Sequence, residues 1–276
     1  MPQVRELIQQ ASRLLGSRLE AELLLAKTLT RDRAWLYAHA SDPLDADAAM
    51  AFDALIQRRA GGEPIAYILG VREFFGRDFK VTPAVLIPRP ETELLVDLAL
   101  QLPLPVQSEA VDVGTGSGCI ALSLAAEKPH WRISATDISP TALAVAESNR
   151  ELLGLGRVEL VLGDLLGPLA DHRFDLIVSN PPYVAIGDPH LEQGDLRFEP
   201  ETALSSGYDG LDAIRRLVSQ ARQALNPGGW LLIEHGYDQG PQLRDLLASA
   251  GFIEIDTRRD LAVIERVSLG RQPDTS

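Results

Sequence analysis

The chain has 276 residues, 45% of them hydrophobic, and a formal net charge of −13. That is ample apolar material for one large or two smaller cores, and no run of 18 or more apolar residues offers a membrane span. The charge excess lies entirely in residues 73–276, with 17 Lys/Arg against 30 Asp/Glu, while residues 1–72 balance nine against nine. An acidic surface of this kind disfavours bare DNA or RNA and favours a basic protein partner.

In chain order, residues 1–60 read as helices. Ser17-Arg18-Leu19-Glu20 has the spacing of a capping box ahead of Leu19, Leu23, Leu24 and Ala26. Pro43-Leu44-Asp45 opens a helix through Phe52, Leu55 and Ile56 that Gly61-Gly62 stops. A small helical bundle is the expected product. From Phe74 to Val81, and again from Val85 to Ile87, the pattern suits a short β-hairpin or linker pair. Pro88-Arg89-Pro90-Glu91-Thr92-Glu93 then leads into a helix containing Leu94, Leu95, Leu98 and Leu100, closed by Pro103 and Pro105.

After residue 109 strands and helices alternate. Strands are expected at Ala110–Val113, Trp131–Thr136, Val158–Leu162, Phe174–Ser179 and Trp230–Glu234, with helices at Ile120–Ala126, Thr141–Leu153, Leu211–Leu225 and Gln242–Ala250. Phe252–Thr257 and Val263–Leu269 lack an intervening helix, so they are expected to pair as a hairpin. The alternation predicts an α/β fold, a mostly parallel seven-stranded sheet covered by helices on both faces. Residues 271–276 form a polar tail.

Two stretches carry chemistry. Asp112-Val113-Gly114-Thr115-Gly116-Ser117-Gly118 is a strand end, a glycine loop and a helix start, which lets backbone approach a ligand and offers unpaired N–H groups. Asp137 ends the next strand, placed to accept from ribose hydroxyls. Cys119 stands where a dinucleotide fingerprint needs Gly or Ala, and no Lys-Ser/Thr follows for a phosphate-gripping loop. The Asp-x-Gly-x-Gly-x-Gly spacing is that of class I S-adenosylmethionine (AdoMet) methyltransferases. As the lone cysteine, Cys119 forms no internal disulfide. Its place at a helix start could lower its pKa, but buried packing is the expected role. With no secretory signal at the amino terminus, a reducing cytoplasm is the expected compartment.

Downstream, Asn180-Pro181-Pro182-Tyr183 follows the apolar strand Phe174–Val178, and its two prolines stop the ladder. An amide or aryl –NH2 is a poor nucleophile. The Asn180 side-chain oxygen and the Pro181 carbonyl can each take one of its N–H bonds, aiming the nitrogen and favouring the positive charge that grows on it. Tyr183 offers a face for a flat substrate group. His39, His130, His172, His190 and His235 show no metal-ligand spacing, so no metal is expected, and Glu234-His235, ending a strand near this site, is assigned ordinary hydrogen bonding.

These motifs, with Gly62-Glu63-Pro64-Ile65-Ala66-Tyr67-Ile68, Leu86–Glu93, Arg197-Phe198-Glu199-Pro200 and Glu265–Gly270, run over nearly the whole chain. Together they resemble the release factor glutamine methyltransferase (PrmC/HemK) family. The resemblance implies a class I, Rossmann-like catalytic domain over 91–276, a β-hairpin linker over 73–90 and a substrate-recognition helical domain over 1–72. It implies N5-methylation of the glutamine in the Gly-Gly-Gln motif of peptide chain release factors, with S-adenosylhomocysteine as co-product, by a cytoplasmic monomer. By position, Gly114–Gly118, Asp137, Asp164, Leu165 and Asn180 would bind AdoMet, and Asn180–Tyr183 would hold the glutamine amide. Arg89, Glu91, Thr92 and Phe75 would shape the mouth of the site. Leu165 stands where an aromatic residue is frequent in relatives, and Asp260–Ile264 lacks the usual glycine or polar residues before Glu-Arg-Val. Three rivals are weighed. An amino-methyltransferase of adenine or cytosine lacks a basic recognition segment here, a dehydrogenase is disfavoured at position 119, and a pure binding module is disfavoured by the intact motifs.

Overall fold

A computed structural model of the chain describes residues 1–192 and 194–274. Gln193, the last two residues of the polar tail, and the side chains of His190 and Glu192 lie outside the described part. The chain divides into two compact units. The first comprises Met1–Val71 together with Glu192–Phe198, and the second comprises the rest.

The first unit is built from α1 (Val4–Leu15), α2 (Arg18–Leu29), α3 (Arg33–Ala38), α4 (Ala46–Ala60) and α5 (Ile65–Leu69). Ser17, Asp32 and Asp45 cap α2, α3 and α4, each side-chain oxygen accepting a backbone N–H three residues on. Leu24, Leu25, Phe52 and Ile56 form the core with Val4 and Leu36. Glu22 is buried beside that core and satisfied by Arg18 (2.7 Å), Arg33 (2.6 Å) and the Tyr37 hydroxyl (2.9 Å). Burial alone would raise its pKa; those three donors bring it below the ordinary carboxylate value. From the returning segment, Arg197 donates to the Gly61 carbonyl at 2.9 Å.

The second unit opens with a hairpin of β1 (Val71–Phe74) and β2 (Arg77–Lys80), turned at Phe75-Gly76. Val85–Ile87 is not a strand, contrary to expectation. Val85 closes a turn on the Thr82 carbonyl at 3.1 Å, and the apolar alternation that suggests pairing only buries Val85 and Ile87 in the core. Then follow α6 (Glu93–Gln101), β3 (Glu109–Val113), α7 (Cys119–Glu127), β4 (Arg132–Asp137), α8 (Pro140–Leu152), β5 (Glu159–Leu162), β6 (Phe174–Ser179), α9 (Asp212–Ala224), β7 (Leu225–Glu234), α10 (Gly240–Ser249), β8 (Ile253–Arg259) and β9 (Glu265–Arg271).

The described strands of this unit's large sheet lie in the order β5-β4-β3-β6-β7-β9-β8. Pairing is parallel from β5 to β7 and antiparallel where β9 joins β7 and β8. This is the seven-stranded, mostly parallel sheet that the alternation predicts, with its carboxyl-terminal hairpin. Residues alternate between two faces: Val111, Ile177, Leu231 and Ile233 pack with α9 and α10, while Ala110, Leu176, Val178 and Leu232 pack with α6 and α7. Strand order reverses between β3 and β6, and at such a point the strand ends leave a crevice for ligands. The glycine loop follows β3, and Asn180 follows β6.

Two buried side chains hold the glycine loop. Asn149 of α8 donates to the carbonyls of Ser117 (2.8 Å) and Lys80 (3.0 Å) and accepts from the Lys80 N–H (2.7 Å). Asp112, wholly buried, accepts from the Thr115 hydroxyl (2.6 Å) and the Ala121 N–H (3.1 Å) through one oxygen, and its other oxygen has no hydrogen-bond partner. Burial pushes its pKa up to about 7. Replacing Asn149 with Ala strands three backbone groups, so urea unfolding is expected to show a loss of about 2–4 kcal/mol; a loss below about 0.5 kcal/mol would mean that water takes over the bonds.

The folded state therefore holds the Asp112 proton more tightly than the unfolded chain. The associated stability is full below the ordinary aspartate pKa and is lost as pH rises through about 7. Asp112→Asn is expected to flatten the decline of unfolding free energy between pH 4 and 8 by a few kcal/mol. An unchanged slope would remove Asp112 from that account.

Candidate functional site

At the switch point lies a cavity of about 390 Å³. Its walls include Gly114–Ser117, Asp137, Asp164, Leu165, Asn180, Pro182, Arg89 and Thr92. Gly114 and Gly116 take φ of +74° and +55°, and nothing lies within 4 Å of where a Cβ would stand, so their missing side chains leave open room on the cavity side. Gly118 does not line the cavity. A Cβ there would meet Leu122 at 3.0 Å, so this glycine permits close helix packing instead.

Asp137 is occupied from both sides. One oxygen accepts from Gly116 N–H (2.8 Å) and the other from Ser139 N–H (2.9 Å), so the carboxylate fixes the loop as well as facing the cavity. Its pKa is raised by burial, opposed by those bonds. Asp164 stands at the rim in an ion pair with Arg216, and Leu165 presents half-buried apolar surface from a left-handed backbone, φ +51°. Ile138, 64% exposed directly after Asp137, adds a second apolar wall that sequence reasoning missed. An exposed isoleucine at a strand end is the signal that could have marked it.

Across the cavity, Asn180 donates from Nδ2 to the Thr92 hydroxyl at 3.2 Å. Among the described residues nothing donates to its Oδ1 or to the Pro181 carbonyl. Arg89 is held by the fully buried Glu199 carboxylate at 2.6 Å, which joins the Pro-Arg-Pro segment to the Arg-Phe-Glu-Pro segment.

Other expected site residues stand elsewhere. Phe75 packs on the core beside Phe74 with its N–H on Glu93 (2.9 Å), and Glu91 lies on the short 3₁₀ turn Pro90–Thr92; neither lines the cavity. Tyr183 lines a second cavity of about 600 Å³ with Asp209, Arg215, Tyr237 and Gln239. Burial, then the charge of Glu234, pushes its phenol well above the ordinary tyrosine value. Cys119 touches the first cavity but is buried, with its thiol pushed up to about 12 by burial, so the helix start does not make it reactive. His235 bonds the Ser268 hydroxyl (2.9 Å) and the Gly236 carbonyl (2.8 Å). Glu234, expected to make ordinary hydrogen bonds, is instead fully buried with neither oxygen hydrogen-bonded among the described residues, and desolvation pushes its pKa up to about 7.

Comparison with known proteins agrees with this geometry. Residues 6–70 match the PrmC N-terminal domain and residues 91–193 the methyltransferase small domain. Release factor glutamine methyltransferases from Xylella fastidiosa, Bordetella pertussis and Escherichia coli are 49%, 51% and 44% identical, over 93%, 92% and 97% of this chain and 94%, 94% and 97% of theirs. Among solved structures, a methyltransferase from Pyrococcus furiosus superposes with TM-score 0.56 at 19% identity, covering 72% of this chain and 91% of that one. A Thermus thermophilus 16S rRNA N2 G1207 methyltransferase in complex with AdoMet and guanosine does so with TM-score 0.55 at 20% identity, covering 73% and 49%. The structural likenesses establish the fold, and the identity across both units establishes more: the chain belongs to the release factor glutamine methyltransferase family.

Proposed function

We propose that the chain methylates N5 of the glutamine in the Gly-Gly-Gln motif of peptide chain release factors, using AdoMet. The cavity suits that cofactor. Its volume accommodates a nucleoside-sized ligand, the open space at Gly114 and Gly116 admits close backbone approach, Asp137 retains a lone pair on each oxygen for ribose hydroxyls, and Leu165 with Ile138 offers apolar walls for a base. When bound, AdoMet supplies a methyl group on a sulfonium and leaves as S-adenosylhomocysteine.

The observation that carries the reading is the unpartnered Asn180 Oδ1 on the wall of this cavity, its Nδ2 already committed to Thr92. Together with the Pro181 carbonyl it forms an acceptor pair for the two N–H bonds of a primary amide. Such a pair turns the nitrogen toward the cavity and stabilises positive charge as the nitrogen–carbon bond forms. Tyr183 keeps its phenolic proton at neutral pH, so it takes no part as a base. The nitrogen grows acidic as it is alkylated and gives its proton to water. We assign recognition of the protein substrate to the charge-balanced helical domain of residues 1–72, and a monomer in the cytoplasm as the working state.

The test is transfer of labelled methyl to a purified unmethylated release factor, with its Gln→Ala variant and a DNA oligonucleotide as parallel acceptors. Label is expected in the factor alone; label in the DNA alone would overturn the assignment. Asn180→Ala is expected to lower kcat by about 100-fold or more while AdoMet affinity stays within about tenfold. A large affinity loss with unchanged turnover would contradict the acceptor role.

A further inference from the structure

An acceptor pair needs both of its oxygens held. Asn180 Oδ1 is placed by the bond from its own Nδ2 to Thr92. The Pro181 carbonyl belongs to the main chain, so it points where the segment Ser179–Tyr183 points. That segment is stiff: two pyrrolidine rings fix φ at 181 and 182, and Pro182 holds Pro181 extended. Neither proline has an N–H with which to anchor itself. A stiff segment without donors is aimed by its ends. The amino end is held by β6, where Ser179 lies in the ladder between β3 and β7 and its hydroxyl donates to the Val113 carbonyl at 2.7 Å.

The carboxyl end is held by Gln239, at the start of α10 and 8% exposed. Its Nε2 donates to the Tyr183 carbonyl at 3.0 Å and to the Asp209 carbonyl at 3.4 Å, while its Oε1 accepts from the Gly236 N–H at 2.9 Å. One buried amide thus joins the chain after β6, the chain before α9 and the chain after β7. Gly210 closes the other side of the same carbonyl. Its φ is +75°, and a Cβ there would stand 2.2 Å from the Tyr183 oxygen. Val184 is held next, through bonds with Leu204 and Ser206 at 2.8 and 2.9 Å. Those partners belong to the same long loop, whereas Gln239 ties it to the elements after β7.

Building on the reading above, we propose that Gln239, seated against Gly210, is a positioning residue that aims the Pro181 carbonyl at the substrate nitrogen by clamping the Tyr183 carbonyl. With the far end of the segment fixed, the oxygen at its middle keeps one direction through the reaction, and no reorganisation is needed as charge grows on the nitrogen. Neither Gln239 nor Gly210 lines the cofactor cavity. Loosening the clamp therefore separates turnover from cofactor binding.

Gln239→Met keeps nearly the same length and flexibility but loses the donor, and Gly210→Ala presses the same carbonyl from its other side. With a purified unmethylated release factor as acceptor, each is expected to lower kcat by about tenfold or more, while the AdoMet KM and the S-adenosylhomocysteine Kd stay within about threefold. The double variant is expected to be little worse than the poorer single one, because both act through one carbonyl. In the free protein, the ¹³C carbonyl signal of Tyr183 is expected to move upfield in Gln239→Met, as a carbonyl does on losing a hydrogen bond. A Gln239→Met kcat within about twofold of wild type, or a loss of cofactor affinity that matches the loss of kcat, would overturn the clamp. So would additive losses in the double variant or an unmoved carbonyl signal. Should Gly210→Ala fail to fold, the Gln239→Met outcomes decide alone. Absence of methyl transfer by the wild type would instead overturn the proposed function, and the carbonyl signal, read without substrate, would still decide the clamp.

Discussion

A carboxyl group with no access to water lies beneath the glycine loop, and the loop keeps its shape around it. Asp112 belongs to the central strand, yet it bonds the loop through Thr115 and the first turn of α7 through Ala121. One buried carboxyl group thereby ties the end of β3 to the loop and to the first turn of the helix. Asp137 repeats the device from the next strand by holding Gly116. Acidic residues at two adjacent strand ends act as ligands of the loop and helix backbone, and of the two only Asp137 also lines the cavity. Burying them is costly, and the cost appears as raised proton affinity rather than as disorder.

The second cluster of charge is organised differently. Asn180, itself uncharged, is held by the Thr92 hydroxyl, and Arg89, paired with Glu199, lines the same cavity. On the proposed reading, the acceptor for a weakly nucleophilic nitrogen must carry a strong dipole without a net charge that would bind a cation more tightly than an amide. An asparagine held from behind by a hydroxyl meets both demands, and the prolines after it remove competing backbone donors.

Much of this was legible before any coordinates. The strand–helix alternation carried the sheet, and the glycine spacing, Asp137 and Asn180 are local signals that the fold gathers around one cavity. The failures have a common cause. Val85–Ile87 alternates like a strand but is buried in a turn, because alternation reports burial and not pairing. Phe75 and Tyr183 lie near motif residues in sequence while their rings pack on the two sides of the sheet, against the cores beneath α6–α7 and α9–α10 respectively. Thr92 enters the expected site only through the family resemblance, and its bond to Asn180 across 88 residues, like the register that sets Glu234 beside Asn180, is a tertiary fact no local pattern reports.

The return of Glu192–Phe198 to the amino-terminal unit makes that unit discontinuous in sequence. Its five helices are complete by residue 69, but the Arg197 bond to the Gly61 carbonyl closes a loop of 136 residues. Loop-closure entropy grows with the logarithm of length, so this contact comes late and contributes little to the initial collapse of the helices. On a ribosome, the amino-terminal helices are free to assemble while most of the sheet is still unmade. Their final hydrogen bond waits until β3 through β6 have been synthesised, so completion of the first unit reports that the strands bearing the glycine loop and Asn180 already exist.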